Sequence, residues 1–224
     1  SIIIIEDNVR YYSSFLPMIY LEVMKQAERL ISEGINLSHK QLRQRARPKI
    51  ILCKTYEEAW EFFQEYQDTI LGIISDVDFP RNNKADPQAG FKFVSNVKKL
   101  HSDIPILLHS NQPDNEEKAK ALDCSFILKN SPILLDKVRE FMIDHLSFGD
   151  FVFRTPDGSE MARACDLLTL EERLHTVPDD CVEYHAARNH FSTWLKARTE
   201  FWLAHQLRPR KVSDFPTITG LRQN

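Results

Sequence analysis

Five short apolar runs alternate with longer amphipathic segments along the first two thirds of the chain. The runs carry no polar residue at every second position, which is typical of parallel strands buried on both faces. The segments between them place apolar residues three or four positions apart, as amphipathic helices do. The pattern therefore predicts an α/β fold with a doubly wound, five-stranded parallel sheet and right-handed crossovers. The strand sequences are IIII, KIILC, TILGIISD, DIPILLHS and SFILK.

The first helical segment is long, because its pattern runs from Tyr11 to about Arg47. Gly34 and Asn36 interrupt it, and the polar, basic sequence LSHKQLRQRAR then resumes the helical pattern. We interpret RQRAR as the solvated face of this extended helix. Farther along, residues 80–89 are rich in Asn, Lys and Pro, and we predict that they form a loop.

The sequence pattern changes near residue 148. We expect residues 1–147 to form one domain and residues 148–224 to form a mainly helical C-terminal extension that docks on the first domain or on a partner. The sequence FGDFVFRTPDGSEMARA at its start predicts a hairpin or an extended arm that turns at PDG. Aromatic residues at helical spacing predict a docking stripe that comprises Phe191, Trp194, Phe201 and Trp202.

Composition narrows the class of protein. The net charge of −3 at pH 7 gives no overall attraction for nucleic acid or for an anionic membrane. No apolar run approaches the ~20 residues of a membrane helix, and the N-terminal IIII is too short for a signal peptide. We therefore expect a cytoplasmic protein that binds neither nucleic acid nor membrane. Because the chain opens on a strand and lacks an initiator Met, we expect it to be a piece of a longer protein.

The spacing of cysteine and histidine favours neither a structural metal nor a disulfide framework. The four cysteines form no CxxC pair, and we interpret them as reduced thiols. His185 and His190 lie five residues apart, whereas a metal-binding pair on one face of a helix needs a spacing of four. We interpret these two and the other histidines, His109 among them, as surface or packing residues.

Polar side chains follow four of the five predicted strands. Because ligands and active groups gather beyond the carboxyl ends of the strands in such sheets, we expect these side chains to converge on one cleft. They are Glu6 and Asp7 after the first strand, Asp76 after the third, Ser110 after the fourth and Lys129 after the fifth.

The acidic members of this set predict a metal site. Three crowded carboxylates repel one another, and a divalent ion such as Mg²⁺ relieves the repulsion by taking carboxylate and water ligands. We predict Glu6, Asp7 and Asp76 as metal ligands, with the backbone carbonyl of Asp78 completing the shell.

The remaining members predict phosphoryl chemistry. Asp76, ionised and partly buried, can act as a nucleophile toward a phosphoryl group and form an aspartyl phosphate. Mg²⁺ and the Lys129 ammonium would neutralise charge on the phosphoryl oxygens, and Ser110 would donate a hydrogen bond to one of them.

Four short motifs contain these residues: EDN, DVDFP, PILLHSN and FILKN. Together with Phe126, which lies three residues before Lys129, they resemble the receiver domain of two-component response regulators over about residues 2–146. The resemblance implies a flavodoxin-like fold, Mg²⁺ as cofactor, and phosphorylation of Asp76 by a histidine kinase or another phosphodonor. It also implies that Ser110 and Phe126 are switch residues that signal to an attached output domain or partner protein. A homodimer is a further candidate assembly.

The whole chain resembles a second group. The extended first segment and the sequence HAARNHFSTWLKARTEFWLA are similar to the receiver-like region of large bacterial proteins related to phosphoenolpyruvate synthase and pyruvate phosphate dikinase. This resemblance rests on general pattern, and it implies a regulatory module within a larger signalling or metabolic protein. Catalysis of the kind those enzymes perform would then lie outside this chain.

Two other functions fit part of the pattern. Haloacid dehalogenase-type phosphohydrolases also use a DxD sequence after a strand, a Ser or Thr, and a Lys. In that family a further acidic motif follows the Lys, whereas here the acidic pair precedes Asp76, and this order disfavours a hydrolase. A pseudo-receiver that serves only as an interaction scaffold is the other alternative, since Asn111 after Ser110 and NSP after Lys129 depart from the receiver pattern.

Overall fold

A computed structural model describes residues 1–32, 47–208 and 210–223. Five strands of the described chain form one all-parallel sheet, in which the order is the second, first, third, sixth and seventh strand of the chain, as in flavodoxin-like folds. The predicted α/β class and five-stranded parallel sheet are therefore confirmed. The strands are β1 (Ile2–Ile5), β2 (Ile50–Cys53), β3 (Gly72–Asp76), β4 (Phe79–Arg81), β5 (Lys84–Asp86), β6 (Ile106–Ser110), β7 (Ser125–Leu128), β8 (Phe151–Arg154) and β9 (Glu160–Ala164).

Helices follow each strand of the main sheet. Those of the first part of the chain are α1 (Val9–Ser32), α2 (Tyr56–Tyr66), α3 (Ala89–Leu100), α4 (Asn115–Ala121) and α5 (Leu134–Asp144). Those that follow are α6 (Leu167–Leu174), α7 (Asp179–Ala187), α8 (His190–Ala197), α9 (Phe201–Leu207), a 3₁₀ turn (Val212–Asp214) and α10 (Ile218–Arg222). The predicted basic helix LSHKQLRQRAR lies, apart from Arg47, outside the described residues. None of the described helices is long and apolar enough to cross a membrane.

The described residues divide into two compact units, with boundaries after Lys25 in α1 and after Leu146. The first consists of residues 1–25 and 47–146, and the second of the described residues among 26–46 and 147–224.

The first unit is built around β1. All four of its isoleucines are fully buried, so both faces of this strand are covered, and a run of β-branched residues suits such a position. On one face Ile3 and Ile5 join a core cluster with side chains of α2 and α3, such as Phe63 and Phe93. The carboxyl ends of these strands therefore lie on a rigid, close-packed support.

A short hairpin follows β3, where we predicted a loop. Strands β4 and β5 pair antiparallel, so the loop prediction is wrong for residues 80–86 apart from the turn. Asn82 and Asn83 make the turn with φ of 52° and 58°. Two consecutive residues with positive φ form the hairpin turn that matches the twist of the strands, and Asn tolerates this conformation better than other residues with a Cβ atom.

The second unit has its own core. Strands β8 and β9 form the hairpin that the PDG sequence predicts, and Phe151 stacks on Phe191 with ring centroids 4.8 Å apart. Trp194 is buried against the hairpin, and its indole nitrogen donates to the carbonyl of Gly149 at 3.2 Å. Two members of the predicted docking stripe therefore pack within their own unit, whereas Trp202 is exposed.

Candidate functional site

Three polar side chains lie level with one another at the carboxyl edge of the main sheet. Asp76 of β3 and His109 of β6 are partners in the strand register, and parallel partners direct their side chains to the same face. Glu6 follows Ile5, whose partner is Ser75, so that it lies beside Asp76. The register therefore places two carboxyl groups and an imidazole on one face of adjacent strands.

Lys129 reaches this group from the end of β7. Its backbone N–H donates to the carbonyl of Ser110 at 2.9 Å, which extends the pairing of β6 and β7 by one residue. Its ammonium donates to Oδ2 of Asp76 at 2.5 Å and lies 2.8 Å from Oε2 of Glu6. All three side chains are almost fully buried, so one ammonium is shared by two carboxyl groups away from solvent.

Burial and mutual contact shift the pKa of each group. Burial, with the nearby charge of Asp76, raises the pKa of Glu6 to about 7. Burial also raises the pKa of Asp76, although the Lys129 ammonium opposes it. Burial alone would lower the pKa of Lys129, but the carboxylates of Asp76 and Glu6 outweigh it and raise that pKa. Lys129 therefore stays charged near neutral pH, whereas the pKa of Glu6 lies close to neutral pH.

The backbone around Asp76 is tightly fixed. Its Oδ1 accepts a hydrogen bond from the N–H of Val77 at 2.7 Å. Gly90, in the first turn of α3, donates from its own N–H to the carbonyl of Val77 at 3.0 Å. A Cβ atom at position 90 would lie 2.4 Å from the carbonyl oxygen of Asp76, so only glycine permits this approach of the helix to the strand.

The other predicted site residues have partners or exposure of their own at the same edge of the sheet. The Ser110 hydroxyl accepts hydrogen bonds from the Asn115 side chain at 3.0 Å and from the backbone of Gln112 at 3.2 Å. The side chains of Asp7 and Asp78 are exposed at their strand ends. Thus the structure brings the side chains of Glu6, Asp76 and Lys129 together, whereas Ser110 and Asp7 lie at the ends of neighbouring strands and Asp78 lies two residues beyond Asp76.

Phe126, the predicted switch residue, lies in the edge strand β7. Its ring is half-buried and packs against the core of the first unit. It also lines a surface cavity of about 150 Å³ together with Phe141 and His145 of the α5 region. The ring therefore has open space on one side, in contrast to the fully buried side chains of β1.

Tyr11 covers the site and could not be recognised from the sequence alone. Its ring lies over the Lys129 ammonium, 4.2 Å from the nitrogen to the ring centroid. Its hydroxyl donates to Oδ1 of Asn111 at 3.3 Å, which links α1 to the loop after β6. The contact joins residues 100 positions apart in sequence, so helical periodicity gave no signal for it.

His109 is the second residue that sequence reasoning missed. It is 1 % exposed, its Nδ1 lies 3.7 Å from Oε2 of Glu6, and its ring meets Phe15 edge to face. Burial, with the nearby Lys129 charge, holds the pKa of His109 well below its usual range. The signal available in the sequence was that a histidine follows the apolar residues ILL of the fourth predicted strand and directly precedes Ser110.

The residues at this edge offer ligands for a cation. One ligand atom from each of Glu6, Asp76 and His109 lies within 4.8 Å of the other two. The two carboxyl groups fit Mg²⁺, which prefers oxygen ligands and retains several waters. The imidazole of His109 is a poor ligand for Mg²⁺, since nitrogen ligands suit transition-metal ions better.

Searches against protein-family models, curated proteins and solved structures find no significant match to this chain.

Proposed function

We propose that residues 1–147 form a receiver-like regulatory module in which Asp76 accepts a phosphoryl group. The observation that carries the proposal is the 2.5 Å contact between Asp76 Oδ2 and the Lys129 ammonium at the carboxyl edge of the sheet. Strand order 2-1-3-4-5 and the helices after each strand support a doubly wound, flavodoxin-like receiver fold. In a sheet of this kind the carboxyl edge is where ligands bind.

The chemistry assigned to Asp76 is nucleophilic. A carboxylate oxygen attacks the phosphorus of a phosphohistidine or a small phosphodonor, and the bond from phosphorus to the donor breaks as the donor leaves with the electron pair. The product is an aspartyl phosphate. Lys129 is placed to offset the charge of the phosphoryl oxygens, because its ammonium already lies at the attacking carboxylate. Glu6, Asp7 and Asp76 would hold Mg²⁺, which supplies further neutralisation of phosphoryl charge.

The resting contacts provide a basis for switching. Lys129 is bonded to Asp76 and lies against Glu6, while the Ser110 hydroxyl is engaged by Asn115 and Gln112. A phosphoryl group on Asp76 competes for both the ammonium and the hydroxyl, since its oxygens are strong acceptors. Reorganisation of Ser110 and of the half-buried Phe126 would then alter the surface at β7. The attached output would be part of a larger cytoplasmic protein, of the kind related to phosphoenolpyruvate synthase.

A scaffold that is never phosphorylated is the second candidate. It is favoured by the cover over the site, because Asp76 is 5 % exposed and Tyr11 with Asn111 closes over Lys129. The Lys129 pair would then serve stability and not phosphoryl transfer.

One experiment separates these functions. The protein is incubated with Mg²⁺ and acetyl phosphate, and intact mass and released phosphate are followed together, with Asp76→Asn as the matched control. A stable, Mg²⁺-dependent mass increase of one phosphoryl group that is absent from the variant supports the receiver. Rapid phosphate release without accumulated adduct supports a phosphohydrolase, and no reaction in either readout supports the scaffold.

A further inference from the structure

His109 occupies a position at which a plain apolar residue would be expected. It follows Ile106, Leu107 and Leu108 in β6, and these neighbours are buried as it is. Neither ring nitrogen has a hydrogen-bond partner among the described residues. Leaving a buried polar group unsatisfied costs about 1–3 kcal/mol, so a buried imidazole without partners needs a reason.

The unsatisfied nitrogen faces an oxygen that is also short of hydrogen bonds. Nδ1 of His109 lies 3.7 Å from Oε2 of Glu6, too far for a hydrogen bond. That oxygen lies 2.8 Å from the Lys129 ammonium, yet it accepts no hydrogen bond of directional geometry within the described chain. The other oxygen of Glu6 accepts from the N–H of Asn8 at 3.0 Å. Nδ1 of His109 and Oε2 of Glu6 therefore lie near each other without a hydrogen bond between them.

A cation bound by both groups would satisfy them together. Asp76 completes the set, since ligand atoms of Glu6, Asp76 and His109 all lie within 4.8 Å of one another. Among these side chains two carboxyl groups share the single ammonium of Lys129, so the cluster retains capacity for further positive charge. Imidazole and carboxylate together form a donor set that suits first-row transition ions, whereas Mg²⁺ takes oxygen ligands.

We infer that Glu6, Asp76 and His109 form a binding site for a divalent first-row transition-metal ion, in which His109 supplies a nitrogen ligand that raises the affinity for such an ion above that for Mg²⁺. This inference goes beyond the proposed function, because metal binding by the three side chains does not require Asp76 to accept a phosphoryl group. His109 is the selective element, since the two carboxyl groups alone would serve either class of ion.

Mn²⁺ is the probe that tests the site most directly, because its electron spin resonance spectrum reports both binding and ligand type. The full chain is titrated with Mn²⁺, and the electron spin echo of the bound ion is recorded. We expect one bound ion per chain and the modulation of a directly coordinated nitrogen. Binding without nitrogen modulation would overturn the inference, as would the absence of stoichiometric binding.

Variants then show which histidine supplies the coordinating nitrogen. His109→Leu suits the buried strand, and we expect it to lose the nitrogen modulation and to weaken Mn²⁺ binding by at least about tenfold, in the range seen when groups around a metal are altered. Its affinity for Mg²⁺ should be unchanged. His145→Gln alters an exposed histidine of the same unit and should leave Mn²⁺ binding as in the wild type. Equal Mn²⁺ affinity in His109→Leu and wild type would contradict the inference.

The wild-type spectrum decides the question even if His109→Leu fails to fold, which circular dichroism would reveal. The phosphoryl proposal is tested separately in Mg²⁺. Failure of Mn²⁺ coordination with intact phosphorylation would remove the metal inference alone, whereas nitrogen-coordinated Mn²⁺ without phosphorylation would remove only the receiver proposal.

Discussion

The Lys129 ammonium lies 2.5 Å from Oδ2 of Asp76, and both side chains are buried. Removing one member of a buried pair leaves its partner charged and desolvated, which typically costs about 3–5 kcal/mol. We therefore expect Lys129→Met to lower the free energy of unfolding by about 3–5 kcal/mol at pH 7 in urea denaturation. Lys137→Met, which removes an exposed lysine paired with Glu140, should change it by less than about 1 kcal/mol. A loss below about 1 kcal/mol for Lys129→Met would show that the pair is not buried in solution.

The cover formed by Tyr11 makes a prediction about access. A single hydrogen bond to Asn111 contributes about 1 kcal/mol, which corresponds to a factor of about five in an equilibrium between closed and open cover. We expect Tyr11→Phe, which removes only the hydroxyl, to increase the rate of Asp76 modification by acetyl phosphate about fivefold. Asn111→Ala should act in the same direction. Tyr12→Phe changes the neighbouring tyrosine as a control, and equal rates in all four proteins would contradict a covering role.

The approach of Gly90 to Asp76 predicts a cost for any added side chain. A Cβ atom at position 90 would lie 2.4 Å from the Asp76 carbonyl oxygen and 2.8 Å from Cα of Val77, both backbone atoms that cannot rotate away. We expect Gly90→Ala to destabilise the first unit by about 1–3 kcal/mol and to slow the reaction of Asp76. Gly220→Ala is the matched control, because a Cβ atom there would meet nothing closer than 3.5 Å. Thermal unfolding measures the stability of the two variants, and equal losses of stability would count against the close contact at position 90.

His185 in the second unit predicts acid sensitivity. Its Nε2 accepts from the backbone N–H of Arg154 at 2.8 Å, and its Nδ1 lies 2.9 Å from Nδ1 of His190. Burial, with the neighbouring charges of His190 and Arg154, lowers the pKa of His185 to about 3, from an ordinary 6.5. The unfolded chain therefore binds the proton more readily, and the stabilisation is present above about pH 6.5 and lost as the pH falls toward 3.

A change of this size corresponds to at most about 5 kcal/mol between those limits. We expect His185→Gln to be less stable than wild type at pH 7 and to lose less stability between pH 7 and pH 4. His175→Gln, at an exposed position, should follow the wild-type pH dependence. Urea unfolding at a series of pH values makes the comparison, and parallel curves for His185→Gln and wild type would contradict the shifted pKa.

The sheet could be predicted from the sequence because its three central strands are buried along their whole length and carry a nearly unbroken apolar signal. Three of the predicted runs form neighbouring parallel strands: IIII, the run that ends at Asp76, and ILL before His109. The hairpin β4–β5 could not be predicted in this way, since strands of three residues are too short for a period to appear. Its signal was the Asn82–Asn83 pair, which has the backbone preference of a two-residue turn.

The site residues that follow the ends of strands could be predicted from the sequence. Those that join the site through strand register or through a helix contact could not. Glu6, Asp76 and Lys129 come together because parallel strands end at one edge. His109 joins them because it is the register partner of Asp76, which no local pattern reveals. Tyr11 depends on how α1 packs over the edge, a tertiary contact with no periodic signature.

The central claim is that Asp76 accepts a phosphoryl group, and borohydride reduction tests it at the level of the residue. The protein is treated with Mg²⁺ and acetyl phosphate, reduced, digested and sequenced by tandem mass spectrometry. Borohydride converts an aspartyl phosphate to homoserine, and we predict this conversion at Asp76 and not at Asp78, which lies in the same peptide. Unmodified Asp76, or homoserine at another aspartate, would contradict the claim.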